Sequence, residues 1–109
     1  REASRVLDRA QALQGGSPRG LRLAARAHLA SGSLQQAERY LTRLLRRSPR
    51  DFEMNLRLGQ LLFKRYRQGG AADGSTLERA RQHARRAAEV RPDDPELEAL
   101  LDELTRGGE

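Results

Sequence analysis

The sequence predicts an all-α fold, an α-solenoid of about five to six helices arranged in antiparallel pairs. A helical stripe of apolar residues followed by a glycine or proline occurs three times. The second copy lies 34 residues after the first, and the third lies a further 43 residues on, which is the same period plus nine. A period of this size is typical of repeat arrays. The apolar residues are almost all leucine and alanine, which leaves little to form strands. The three copies are Ala3, Leu7, Ala10 and Gly15, then Ala37, Leu41, Leu44 and Pro49, then Ala80, Ala84, Ala87 and Pro92.

The first two helices are predicted on either side of a glycine pair. Residues 2–14 place alanine, valine and leucine on one face at helical spacing, and Gly15 and Gly16 end that helix. Pro18 suits a first helical turn, with Ser17 as its cap, and the next helix continues to a Ser-Gly pair at 31–32. The chain therefore starts inside a helix, and we expect further sequence upstream of it.

The middle of the chain predicts two more helices. Ser33 can cap a helix from Leu34 to Arg47, which ends before Pro49, and a fourth helix covers about residues 51–67. The stretch 68–75, rich in glycine, alanine and aspartate, predicts a loop and contains the nine additional residues.

The last part of the chain predicts two helices separated by a proline-rich turn. Ser75 and Glu78 match a capping box that opens a helix ending at about Val90. The acids Asp93 and Asp94 lie between two prolines, where capping of the following helix is their ordinary role. That final helix is apolar on one side only, as a terminal cap of a stack requires, through Leu97, Leu100, Leu101 and Leu104.

Composition excludes several kinds of site. The sequence has no cysteine, which excludes disulfides and thiolate zinc sites, and it has no apolar run of membrane-spanning length. The two histidines, His28 and His83, stand on different predicted helices without the companions that a metal or catalytic site needs. We expect His28 to fill a packing position and His83 to lie near solvent. No cofactor, metal site or catalytic residue is predicted, so the protein is not expected to be an enzyme.

Charge divides the chain into unlike halves. Residues 1–50 carry eleven arginines against three acids, whereas residues 51–109 carry ten basic residues against twelve acids. Lys64 is the only lysine among 21 basic residues. A basic first half predicts attraction to an acidic partner.

The segment 18–51 resembles a tetratricopeptide repeat, a 34-residue helix pair. Small residues stand at two of its close-packing positions, Ala25 and Ala37, and Pro49 stands where the family has a proline. The segment 52–94 resembles a second repeat with a nine-residue insertion near 67–75. Residues 1–17 then resemble the second helix of a preceding repeat, and residues 95–109 either the first helix of a following repeat or a capping helix and tail.

The resemblance implies a right-handed superhelix whose first helices line a concave groove, and a non-catalytic role in protein-protein interaction as a scaffold within a larger complex. The groove positions of the family carry cations with apolar residues between them, which suits an acidic, partly apolar segment of a partner protein. The residues implied in partner binding are Arg19, Arg22, Leu23, Arg26, Leu56, Arg57, Gln60, Phe63 and Lys64.

Two alternatives belong to other classes of function. The basic first half and a pI near 11.1 would suit nucleic acid. Nucleic acid is nevertheless the less favoured partner, because the four aromatic residues are scattered and the second half is net acidic. Self-association through the exposed first helix, giving a homo-oligomer, is the other alternative.

Overall fold

The computed structural model describes residues 17–69 and 74–107, and within these it contains five helices and no strand. The predicted all-α class is confirmed. The predicted helix at 2–14 and its glycine stop lie outside the described residues. The chain divides into two compact units, Arg1–Pro49 and Arg50–Glu109, and each is described by itself. The helices are α1 (Pro18–Ser31), α2 (Leu34–Arg47), α3 (Phe52–Gln68), α4 (Gly74–Val90) and α5 (Pro95–Gly107).

In the first unit, α1 and α2 form a tight antiparallel pair. Ser17 caps α1 as predicted, since its Oγ accepts a hydrogen bond from the Gly20 amide at 3.2 Å. Only Gly32 and Ser33 separate the two helices, and Gly32 adopts a left-handed φ of 79° that favours glycine. Ser33 occupies the N-cap position of α2 but makes no capping hydrogen bond. Its hydroxyl lies 3.2 Å from the Ser31 hydroxyl instead, which corrects the predicted capping role.

The core of this unit is the predicted apolar stripe of each helix. The side chains that meet between α1 and α2 are fully or almost fully buried, and small residues allow close approach of the two backbones. His28 is 3% exposed and stacks on Tyr40, with ring centroids 5.3 Å apart, so the prediction that His28 fills a packing position is confirmed. The main core residues are Leu21, Ala24, Ala25, Ala37, Leu41 and Leu44.

In the second unit, α3 and α4 form an antiparallel pair on which α5 packs parallel to α3. Asp51 caps α3 through the Met54 amide at 3.0 Å, and Asp94 caps α5 through the Leu97 amide at 3.1 Å. The capping role predicted for the acids beside the prolines is thereby confirmed at Asp94. All three helices approach one another at Gly59, which is buried and has no side chain to separate them.

The nine additional residues lengthen the helices of the second pair as well as their connection. Each helix of the first pair has 14 residues and each helix of the second pair has 17. Two residues separate the first pair and five, 69–73, separate the second, so the extra residues divide equally among the two helices and the connection. The predicted loop at 68–75 is thus too long, because the backbone hydrogen bond from Gly69 to Arg65 continues α3 through Gln68. Ser75 lies inside α4 and not before it.

Candidate functional site

The nine residues predicted to bind a partner divide between the two units. Four of them belong to α1. Arg19, Leu23 and Arg26 are exposed there, Leu23 to 40%, and Arg22 is half-buried. An exposed leucine among arginines is the combination that the prediction requires of a binding surface. The other five residues lie on α3, in the second unit.

Three of the α3 residues come together in an open cleft between α3 and α5. Gln60, Phe63 and Lys64 line it, and its volume is about 440 Å³. Four residues that the sequence did not single out complete the lining: Arg67, Gln68, Leu100 and Glu103. Leu56 is not among them. Its side chain is 2% exposed and lies in the core, which corrects the expectation that it faces a partner.

Phe63 forms the floor of the cleft and is covered by its own helix. The ring is 6% exposed and is stacked on Tyr66 at 6.4 Å between centroids. The Arg67 guanidinium lies over the ring at 5.8 Å and makes a loose ion pair with Glu103 at 3.7 Å. Exposed pairs of this kind contribute about 0 to 1 kcal/mol. The ion pair therefore holds Arg67 over the ring only weakly.

Arg57 already has a carboxylate partner inside the chain. Its Nη1 donates to Glu96 Oε2 at 2.7 Å, and its Nη2 donates to Glu96 Oε1 at 3.5 Å. Gln60 Nε2 donates to the same carboxylate at 3.4 Å. The hydrogen bond to Glu96 raises the pKa of Arg57, and the bonds from Arg57 and Gln60 lower the pKa of Glu96. Arg57 thus ties α5 to α3, which corrects its prediction as a cation awaiting an acidic partner.

His83 lies half-buried between α3 and α4, and not near solvent as predicted. Its Nδ1 lies 2.9 Å from Oδ1 of the buried Asn55. Since Asn55 Nδ2 donates to the Asp51 carbonyl at 3.0 Å, its Oδ1 is the atom left to accept, so His83 Nδ1 carries the hydrogen. Burial, with smaller contributions from the positive charges of Arg86 and Arg79, lowers the pKa of His83 from 6.5 to about 4.

We expect this histidine to make the second unit less stable in mild acid. The unfolded chain binds the proton below pH 6.5, whereas the folded chain binds it only near pH 4, so the stability present above pH 6.5 falls as the pH falls towards 4. Urea unfolding of wild type and His83→Gln between pH 5 and 7, above most carboxylate titration, measures this effect. The difference in stability between the two proteins should change with pH. A constant difference would contradict the lowered pKa.

The α5 wall of the cleft was not among the predicted binding residues, although the sequence allowed α5 to be either the first helix of a following repeat or a cap. The signal was nevertheless present, since α5 follows a proline at the repeat offset, as α3 does, and so occupies the place of another first helix. That offset brings Glu96, Leu100 and Glu103 to the side that faces α3, where Leu100 and Glu103 line the cleft and Glu96 pairs with Arg57.

Comparison with known protein families agrees with this architecture. The tetratricopeptide repeat family model matches residues 18–61, which span α1, α2 and the first ten residues of α3. Residues 18–61 thus match a tetratricopeptide repeat. Tetratricopeptide repeats generally mediate protein-protein interaction and are typically non-catalytic. No curated protein matches the chain.

Within the described residues, neither a metal-binding cluster nor a membrane-spanning helix is present. No group of three or more histidine, aspartate or glutamate side chains in residues 17–69 and 74–107 is arranged to hold a metal ion. None of the helices that the structure describes is both long enough and apolar enough to cross a bilayer.

Proposed function

We propose that this tetratricopeptide repeat protein is a non-catalytic interaction module, part of a larger complex, that binds an acidic, partly apolar segment of a partner protein in the α3-α5 cleft. The observation that carries the proposal is the position of Lys64 beside an apolar floor. Lys64 is exposed and lines the same cleft as Phe63 and Leu100. It makes no ion pair with any residue in the described ranges.

The cleft offers apolar contacts to the apolar side chains of such a segment and cations to its carboxylates. An apolar side chain can contact the exposed edges of Phe63 and Leu100, but these side chains are only 6% and 2% exposed, so the apolar contribution is small and the cations supply most of the attraction. A neighbouring carboxylate meets Lys64 and Arg67, opposed by the single acid Glu103. An adjoining depression adds Arg106 to the same rim. The wall is therefore net positive, which favours acidic segments and speeds their encounter.

The α1 face is a second part of the proposal and belongs to the first unit. Arg19, Arg22 and Arg26 follow one another at i, i+3 and i+7, so they point in similar directions, with Leu23 exposed beside them. This surface has the same chemistry as the cleft. It is tested separately, because the two surfaces belong to separate units.

Lys64 gives the cleft an unusually direct test. A carbodiimide joins a carboxylate to an amine without a spacer, and Lys64 is the only lysine of the chain. Peptides of twelve residues are first selected from a random phage-displayed library. We expect the selected peptides to combine aspartate or glutamate with leucine or phenylalanine, and we expect mass spectrometry to find their carboxylates linked to Lys64.

Affinity measurements with matched variants then test the site. Lys64→Glu should weaken binding of the selected peptides about tenfold in fluorescence polarisation, more at 50 mM than at 200 mM salt. Arg86→Glu makes the same charge change at an exposed position of α4 outside the cleft and should have little effect. Equal losses from both variants would reduce the effect to net charge and overturn the cleft proposal.

For the α1 face, joint reversal of Arg22 and Arg26 is compared with joint reversal of Arg43 and Arg46 on α2. A larger loss of peptide affinity from the first pair supports α1 as a contact surface. Equal losses, or no loss from the first pair, would remove α1 from the site. The affinity of a mixed-sequence oligonucleotide is measured with the same variants. If peptide and oligonucleotide lose affinity in parallel, the peptides bind through charge alone.

A further inference from the structure

The outer face of α2 carries a row of four arginines. Arg39, Arg43, Arg46 and Arg47 are all exposed. At 100° per residue their positions fall within an arc of about 100° on the helix, and they span about 12 Å along its axis. They therefore form a narrow basic row on the side of α2 opposite its buried Ala37, Leu41 and Leu44.

Within residues 17–49, acids do not neutralise the row. Glu38 is the only acid in residues 17–49, against seven arginines. None of the four arginines makes an ion pair with a residue that the structure describes. Arg39 donates to Gln36 at 3.3 Å, and Arg43 lies 5.8 Å from the centroid of the Tyr40 ring, which positions it without cancelling its charge. Capping of the helix dipole explains Arg46 and Arg47 in the last turn, but it does not explain the other two.

The geometry of the row fits the phosphate backbone of a nucleic acid duplex. A duplex carries about one phosphate per 3.4 Å of its axis on each strand, so a 12 Å row of arginines laid along one strand faces about four phosphates. Arginine also forms two-pronged hydrogen bonds with phosphate oxygens. A linear array of guanidinium groups is thus complementary in shape and in charge to a linear polyanion.

Other polyanions fit this face less well. Binding of single strands depends on exposed aromatic rings, and Tyr40, the aromatic residue of α2, is half-buried against His28. Firm attachment to a membrane surface needs apolar anchors, and the large apolar side chains exposed in the described residues, Leu23 and Val90, lie on other helices. A protein partner would gain from an exposed apolar contact such as Leu23 provides on α1, and α2 exposes no large apolar side chain in the described residues.

We propose that α2 binds the phosphate backbone of double-stranded nucleic acid through Arg39, Arg43, Arg46 and Arg47, without reading sequence. The scattered aromatics that argued against base stacking are consistent with this contact, since it is made to the backbone alone. The inference is independent of the peptide cleft, because the row lies in the first unit and the cleft in the second.

The test is binding of a fluorescein-labelled 20-base-pair DNA duplex of mixed sequence, followed by fluorescence anisotropy. Four phosphate contacts predict a slope near −3.6 in a plot of log affinity against log salt, which is about a 150-fold loss between 50 and 200 mM. Replacing Arg43 and Arg46 by glutamine should weaken binding at 50 mM and reduce the loss over the same salt range to about 12-fold.

The matched control removes two charges from exposed positions of α4, Arg85→Gln with Arg86→Gln, and should leave most of the binding intact. Circular dichroism confirms that both variants fold. No binding to duplex at 50 mM salt, or equal weakening by both pairs of substitutions, would overturn the proposal. Binding to vesicles of 70% phosphatidylcholine and 30% phosphatidylserine in place of DNA would overturn it too, in favour of a lipid surface. Lys64→Glu tests the peptide cleft and lies outside the row. It should lower duplex affinity no more than Arg86→Glu, which reverses one exposed charge elsewhere in the second unit.

Discussion

Replacing Gly59 by leucine should destabilise the second unit by about 3 kcal/mol or more, which is a large fraction of the stability of a small domain. A Cβ added at Gly59 would lie 3.1 Å from Leu100 Cδ2, 3.4 Å from the Ala80 carbonyl oxygen and 3.6 Å from the Ala84 nitrogen. The remaining carbons of leucine would have to enter space bounded by the backbone of α4. Backbone cannot move aside as a side chain can, so the three helices would have to separate.

Gly59→Ala serves as the graded control for this experiment. Its methyl group makes its tightest contact with the flexible end of Leu100, and alanine gains about 1 kcal/mol of helix propensity over glycine. The two effects oppose each other, so we expect a small change in the thermal midpoint followed at 222 nm. Similar midpoints for the leucine and alanine variants would show that the helices do not meet closely at Gly59.

Ala37→Leu should destabilise the first unit by about 1 to 3 kcal/mol, because three carbons would enter a core without space for them. Ala37 is 0% exposed and belongs to the stripe by which α2 packs on α1. Gln36→Leu adds a leucine at the neighbouring exposed position and should change stability by less than about 0.5 kcal/mol. If Ala37→Leu leaves the thermal midpoint unchanged, the repeat register assigned from the sequence is wrong.

The helices were predictable because their signals are local. α2 begins and ends where its apolar spacing and Pro49 indicate, and Ser17 caps α1 as its position beside Pro18 suggests. The errors occur where a competing local contact decides the outcome. Ser33 has a suitable cap position, yet its hydroxyl approaches Ser31. Composition alone assigned residues 68–75 to a loop, although glycine and alanine are tolerated in the terminal turns of helices.

The candidate site was less predictable, because its properties depend on residues distant in the sequence. Arg57 reads as a solvated or partner-binding cation until Glu96, 39 residues later, is placed beside it. His83 reads as a surface histidine until Asn55 of the facing helix is placed against it. Periodicity predicts which face of a helix is buried. It does not predict which polar groups of another helix pack beside that face. Lys64 was placed on a binding surface by the repeat register and lines the cleft.

The equal division of the nine additional residues has a consequence for the cleft. Counted from its first residue, α3 exceeds the 14-residue length of α1 and α2 by Tyr66, Arg67 and Gln68, and two of these, Arg67 and Gln68, line the cleft. A pair of 14-residue helices would lack that part of the wall and would leave Phe63 without the arginine that covers it. Lengthening a helix pair at its connected end thus adds positions to the cleft, whereas the close approach of Gly59 to Ala80, Ala84 and Leu100 does not involve the three added residues of α3.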